Sequence, residues 1–162
     1  GAAGIVFGIL NEDGTVDQKR NAILAEIGLA AGLEVVFHRA IDVVPSWENA
    51  LTQLIDMGFT RVLTTGQRAN IEDGVHIVQA MVAYANHRIE ILPGGLKPQN
   101  IVSLSARMNT NQAHIASFQQ LSDNSCQNNR EIFFGGALYP PEMLYDMIDQ
   151  DFVAQACQMV KT

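Results

Sequence analysis

Along most of the chain, short apolar runs alternate with longer stretches whose apolar residues recur every three or four positions. Ile5 to Leu10, Val35 to Ile41, Arg61 to Gly66 and Ile89 to Leu92 read as buried strands, each closed by glycine, proline or polar residues. Between them, Thr15 to Ala31 predicts a helix burying Ile23, Leu24, Ile27 and Ala31, with Asp17 serving its N-terminus and Gly32 past its last turn. Pro45-Ser46 opens a second helix with Leu51, Leu54 and Ile55 on one face before Gly58, and Trp47 near its start is expected to pack on the sheet. Ile71, Val75, Val78 and Val82 mark a third helix, with Glu72 and Asp73 where the helix dipole favours negative charge. Pro98 suits the first turn of a fourth, faced by Ile101, Leu104 and Met108.

The remainder is less regular. Ala113 to Ser117 reads as a weaker fifth strand, and the polar segment 119–130 as a mobile loop. A tail follows, with Phe133-Phe134-Gly135-Gly136, a helix start at Pro140-Pro141, and a helix from Met143 to Val160 carrying Leu144, Met147, Ile148, Phe152 and Val153. Strand starts recur about every 24 to 30 residues, the period of a βαβ unit, so the strands are expected to be parallel. That defines an α/β fold, either an open doubly wound sheet or an arc of a (β/α)8 barrel. The glycine-rich dinucleotide fingerprint that would favour the first is absent after the first strand.

Composition narrows the function. The 162 residues suit a single domain, are 48% hydrophobic and carry a net charge of −7 with no basic cluster, which argues against a nucleic-acid partner. No run of about 18 apolar residues suggests a membrane span, and no signal-peptide pattern is present. Cys126 and Cys157 lie far apart in the sequence, which favours a reduced, cytoplasmic setting over a disulfide framework or a zinc site.

Candidate chemistry gathers where strands end, because parallel α/β folds build their sites at the carboxyl ends of the strands. The apolar run Val35-Val36-Phe37 stops on His38, Arg39 and Asp42. In one reading His38 carries a proton or ligates, and Arg39 or Asp42 orients it or binds an anion. In the other, an Arg39–Asp42 pair ties strand to loop and His38 is a hydrogen-bonded core residue. Thr64, Thr65 and Gly66 offer hydroxyls and N–H groups to an oxyanion, or form a plain strand end; Gly94 and Gly95 offer an anion-binding turn, or a tight βα turn. His38 and His114 are the weak candidates for a metal site such as copper, with no third ligand apparent. His76 and His87 read as surface, and the methionines as core, only Met143 and Met147 approaching the spacing of a copper-binding cluster.

Taken together, Gly4-Ile5-Val6-Phe7-Gly8-Ile9-Leu10 with Asp13-Gly14, Phe37-His38-Arg39-Ala40-Ile41-Asp42, Arg61 to Gln67, Leu92-Pro93-Gly94-Gly95 with Asn100, and His114 resemble the CutC family, named for copper homeostasis. The resemblance covers residues 1 to about 118. It implies an incomplete (β/α)8 TIM-type barrel of about five parallel βα units, forming one partial domain over 1–162 of a cytoplasmic protein linked to copper, with copper as a possible ligand. It also implies that the family's first three βα units lack a counterpart here, so a homo-oligomer or a missing N-terminal barrel half is the expected partner. Two departures stand out: Pro93-Gly94-Gly95-Leu96 is one glycine short of the family pattern, and Ala116-Ser117-Phe118 differs from the residues the family places after the histidine. The alternatives to a copper-linked role are an enzyme acting on a small phosphorylated or carboxylated metabolite, and a truncated copy without activity.

Overall fold

The computed structural model describes residues 1–125, 127–128 and 143–161. The expected features at Cys126, Phe133 to Gly136 and Pro140-Pro141 lie outside the described residues. The chain divides into two compact units, Gly1–Ile115 and Ala116–Thr162.

The first unit is a four-stranded parallel sheet in the order β1 (Gly4–Phe7), β2 (Glu34–Phe37), β3 (Arg61–Thr64) and β4 (Glu90–Pro93). Helices α1 (Gln18–Ala30), α2 (Trp47–Asp56) and α3 (Ile71–Ala85) make the crossovers, and α4 (Ile101–Met108) follows β4. This is an arc of a (β/α)8-type fold, and the sheet does not close among the described residues. The fifth strand shrinks to one parallel bridge between Gly94 and His114, supported by the His114 N–H donating to the Pro93 carbonyl.

Alternation along the strands separates two faces. Val35, Phe37, Val62 and Ile91 point at the helices and are buried with Leu51, Leu54, Val78 and Met81. Val6, on the other face, is 63% exposed. Asp17 caps α1 by accepting from the Arg20 N–H, and Gly32 takes a positive φ past its end. The face that α1 buries is not the expected one: Asn21, Ala25 and Gly28 are inside, whereas Ile23, Leu24 and Ile27 are exposed. Close approach explains this, since a Cβ on Gly28 would meet the Ile5 and Val35 side chains at 2.7 and 3.0 Å. Small residues therefore face the sheet. Asn21 ties the helix to the chain after β1, donating to the Ile9 carbonyl and accepting the Ile9 N–H. Trp47 packs edge-on against Tyr84 of α3, so it joins two helices.

In the second unit, β5 (Phe118–Ser122) pairs antiparallel with β6 (Leu144–Ile148), and α5 (Gln150–Met159) follows. Residues 119–122 of the expected loop are thus a strand, and the expected helix from Met143 begins only at Gln150. The spacing of Leu144, Met147 and Ile148 suits a helix face, but pairing with β5 satisfies that backbone instead. Asp149 then starts α5 by accepting the Phe152 N–H.

Candidate functional site at the carboxyl ends of the strands

β2 ends at Phe37, and the chain turns at once into a single 3-10 turn, Arg39–Val43. His38 begins that turn: its Nδ1 accepts the Ala40 N–H at 3.1 Å. A neutral imidazole that accepts at Nδ1 carries its proton on Nε2, so in that form His38 Nε2 is a donor. The ring rests in the notch left by Gly8, where an added Cβ would come within 2.7 Å of Nδ1 and Cε1. His38 therefore lies toward β1.

Arg39 leans the other way, toward β3. Its Nε donates to Asp42 Oδ2 at 2.8 Å and its Nη2 to Thr65 Oγ1 at 2.7 Å. The Arg39 side chain stays 51% exposed beside an Asp42 side chain that is only 6% exposed. The two neighbours thus lean toward different strands, β1 and β3.

Asp42 is the hub. Its carboxylate accepts from the Thr64 hydroxyl at 2.6 Å, the Thr65 N–H at 3.0 and 3.1 Å, the Gln67 N–H at 3.1 Å and Arg39. The Thr65 hydroxyl also has Asp42 Oδ2 and the Arg68 carbonyl within reach of its one hydrogen. Burial by itself raises the carboxyl's pKa, but the Thr64 hydroxyl, Arg39 and the Gln67 and Thr65 N–H groups outweigh it and hold it below its ordinary value. Asp42 is a fixed anion.

Thr64, Thr65 and Gly66, expected to offer donors to an oxyanion, direct them inward. The Thr64 hydroxyl and Thr65 N–H go to Asp42, and the Gly66 N–H goes to Thr64 Oγ1 at 2.8 Å. The protein's own carboxylate fills this nest. Gly66 lies tight against Gly74 of α3, where a Cβ on Gly74 would meet the Thr65 carbonyl at 2.0 Å, so the β3 turn depends on two bare backbones.

Gly94 uses its N–H on the Thr64 carbonyl, and Gly95 takes a φ of 81°. His114 is exposed and lies next to Gly94, with β3 and β4 between it and β2, which carries His38. The structure does not bring the two histidines together. Among the described residues there is no group of three His, Cys, Asp or Glu side chains arranged to hold a metal ion. His76 and His87 are on the surface, as expected.

Two contributors escaped the sequence reading. Gln67 supplies its backbone N–H to Asp42 and its side-chain amide to the Val44 carbonyl at 2.8 Å, locking the β3 turn to the 3-10 turn. Gly8 makes the seat for His38; a lone glycine inside an apolar strand was its one sequence signal.

A parallel α/β arc with a braced, polar carboxyl end is the working face of a barrel-type protein. The sequence model of the CutC family matches residues 1–119, which takes in the whole first unit. A CutC family protein of Treponema denticola is 46% identical over 143 residues, covering 88% of this chain and 57% of the relative. A second, from Bacteroides thetaiotaomicron, is 30% identical over 164 residues, covering 100% of this chain and 65% of the relative. Among solved structures, a CutC protein of Streptococcus agalactiae, named for copper homeostasis, superposes with a TM-score of 0.65 at 33% identity, covering 70% of this chain and 55% of that one. The chain belongs to the CutC family. It spans a little over half to about two thirds of the length of these relatives.

Proposed function

We propose that this protein serves copper homeostasis in the cytoplasm and exerts that role at the carboxyl end of its parallel sheet. The observation that supports this is the family match over 1–119, which contains every residue of the Asp42 hub, together with the Streptococcus agalactiae structure that bears the copper-homeostasis name. Among the described residues no helix is long and apolar enough to cross a membrane, so the reading uses no membrane passage. Complementation tests it. A bacterial strain lacking its own CutC gene should regain copper tolerance with the full chain and lose it again with Asp42→Ala; unchanged copper sensitivity with a well-expressed chain would overturn the reading.

A second reading is favoured by the hydrogen bond that His38 Nδ1 accepts. Copper at Nε2 requires the proton to sit on Nδ1, which forfeits the bond from the Ala40 N–H. An anion requires no such exchange. In this reading the mouth takes a small phosphorylated or carboxylated metabolite, with the remaining Arg39 N–H groups holding the anion and His38 Nε2–H available as the proton donor of an enzyme. Isothermal titration with phosphate and with sugar phosphates separates the two. Binding lost in Arg39→Ala supports the anion; tight Cu(I) binding lost in His38→Ala, with no response to phosphate, supports direct metal contact.

A further inference from the structure

Backbone N–H groups that converge at the βα turns are what a barrel-type fold offers to a phosphate. At two of these turns the chain commits such groups to itself. After β3, the Thr65 and Gln67 N–H groups and the Thr64 hydroxyl all donate to Asp42, and the Gly66 N–H donates to Thr64 Oγ1. After β4, the Gly94 N–H donates to the Thr64 carbonyl and the Lys97 N–H to Asn100 Oδ1 at 2.8 Å. Asn100 is held there in turn, its Nδ2 donating to Glu72 Oε1 at 2.7 Å. The Gly95 and Leu96 N–H groups stay free of an acceptor among the described residues, but the Glu72 carboxylate backs the same turn. A phosphate would therefore find few donors and two carboxylates.

Arg39 offers something else. Its Nε–H goes to Asp42 and one Nη2 hydrogen to Thr65, and no other described residue takes the Nη1 hydrogens or the second one on Nη2. The terminal edge of the guanidinium thus keeps two parallel N–H groups, which is the spacing a carboxylate matches. Asp42 already shares this positive charge. A dianion beside Asp42 meets twice the repulsion of a monoanion, because Coulomb energy follows the product of the charges. Arg68 and Lys97, the cations that follow β3 and β4, are exposed, and Arg68 spends an Nη1 hydrogen on the Gln67 carbonyl. Screened by water and salt, they add general attraction and no orientation.

We infer that the mouth selects a small monocarboxylate over a phosphate, with the terminal edge of Arg39 gripping the carboxylate and with Asp42 and Glu72 opposing the dianion. This choice of ligand rests on the anion-binding reading above and separates two classes which that reading leaves together.

The test is a nitrogen-15 NMR titration of the full 162-residue chain at neutral pH, with sodium acetate and with inorganic phosphate, at an ionic strength held by sodium chloride. Acetate is expected to shift the Arg39 Nε–H and Thr65 amide resonances saturably, with a Kd about tenfold below that of phosphate. That preference is read on the wild-type chain, so it does not depend on any variant folding. Arg39→Lys keeps the charge and loses the planar fork, and should weaken acetate about tenfold, whereas Arg68→Gln and Lys97→Gln should leave it within about twofold. Phosphate that binds as tightly as acetate, or that shifts the Gly95 and Leu96 amides in place of Arg39, would overturn the inference and leave the anion reading standing. Acetate binding unchanged in a folded Arg39→Lys would overturn it too. A flat response to both anions would remove the anion reading itself, and the choice of carboxylate with it.

Discussion

The two ends of the parallel sheet each pair an arginine with carboxylate, one at the carboxyl end and two at the amino end, and they do so under opposite solvation. At the carboxyl end, Asp42 is almost fully buried and accepts from Thr64, Thr65, Gln67 and Arg39. At the amino end, Arg61 sits between Glu34 and Glu90, whose side chains are about half exposed. Buried, hydrogen-bonded charge fixes geometry because every donor left behind by its removal is costly. Exposed pairs are screened and contribute little alone. The carboxyl end is therefore held rigidly, and the amino end is a charge pattern that contributes little while it is exposed.

Removing Asp42 should have the largest effect. Asp42→Ala strips the acceptor from several buried donors and frees Arg39, and is expected to lower unfolding free energy by about 3–5 kcal/mol in urea denaturation. A loss under about 1 kcal/mol would place the carboxyl end on the same footing as the amino-end cluster. Gly8→Val comes next: the new side chain would overlap the His38 ring, and a destabilisation of about 1–3 kcal/mol is expected, with a shifted His38 resonance. Acid should act through the same group. Asp42 has a depressed folded pKa, so its stabilisation is present above the ordinary carboxylate value of about 3.9 and is lost as pH falls through the lower folded value. Wild-type stability should accordingly drop below about pH 4 more steeply than that of Asp42→Asn. Arg61→Ala should do least, within about 1 kcal/mol in the isolated chain, and salt should leave the wild type nearly unchanged.

What could be read in the sequence tracks how local its cause is. The strands and helices of residues 1–115 follow from periodicity, and Asp17 and Gly32 were legible as helix boundaries because capping is a local rule. The Arg39–Asp42 pair was legible because three residues separate its members. The link from Asp42 to Thr64, Thr65 and Gln67 was not, since it spans 22 to 25 positions and depends on the lateral order of β2 and β3. The same limit explains α1. Its isoleucines look like a core face by spacing, but the contact with Ile5 and Val35 is set by Gly28, and only the packed structure shows that small residues win there. In the tail, Leu144, Met147 and Ile148 satisfy a helix pattern and a strand at once, and pairing with β5 decides between them.

The central claim is that the carboxyl end of the sheet is pre-set, with His38 accepting at Nδ1 and offering Nε2–H to a ligand. Imidazole nitrogen-15 NMR of the full chain at neutral pH measures this directly. The account predicts that the neutral form of the His38 ring has an unprotonated Nδ1 and a protonated Nε2, a pattern that Gly8→Val disturbs. A neutral ring protonated on Nδ1 would contradict it, because that tautomer cannot accept the Ala40 N–H and would leave Nε2 as a bare metal ligand.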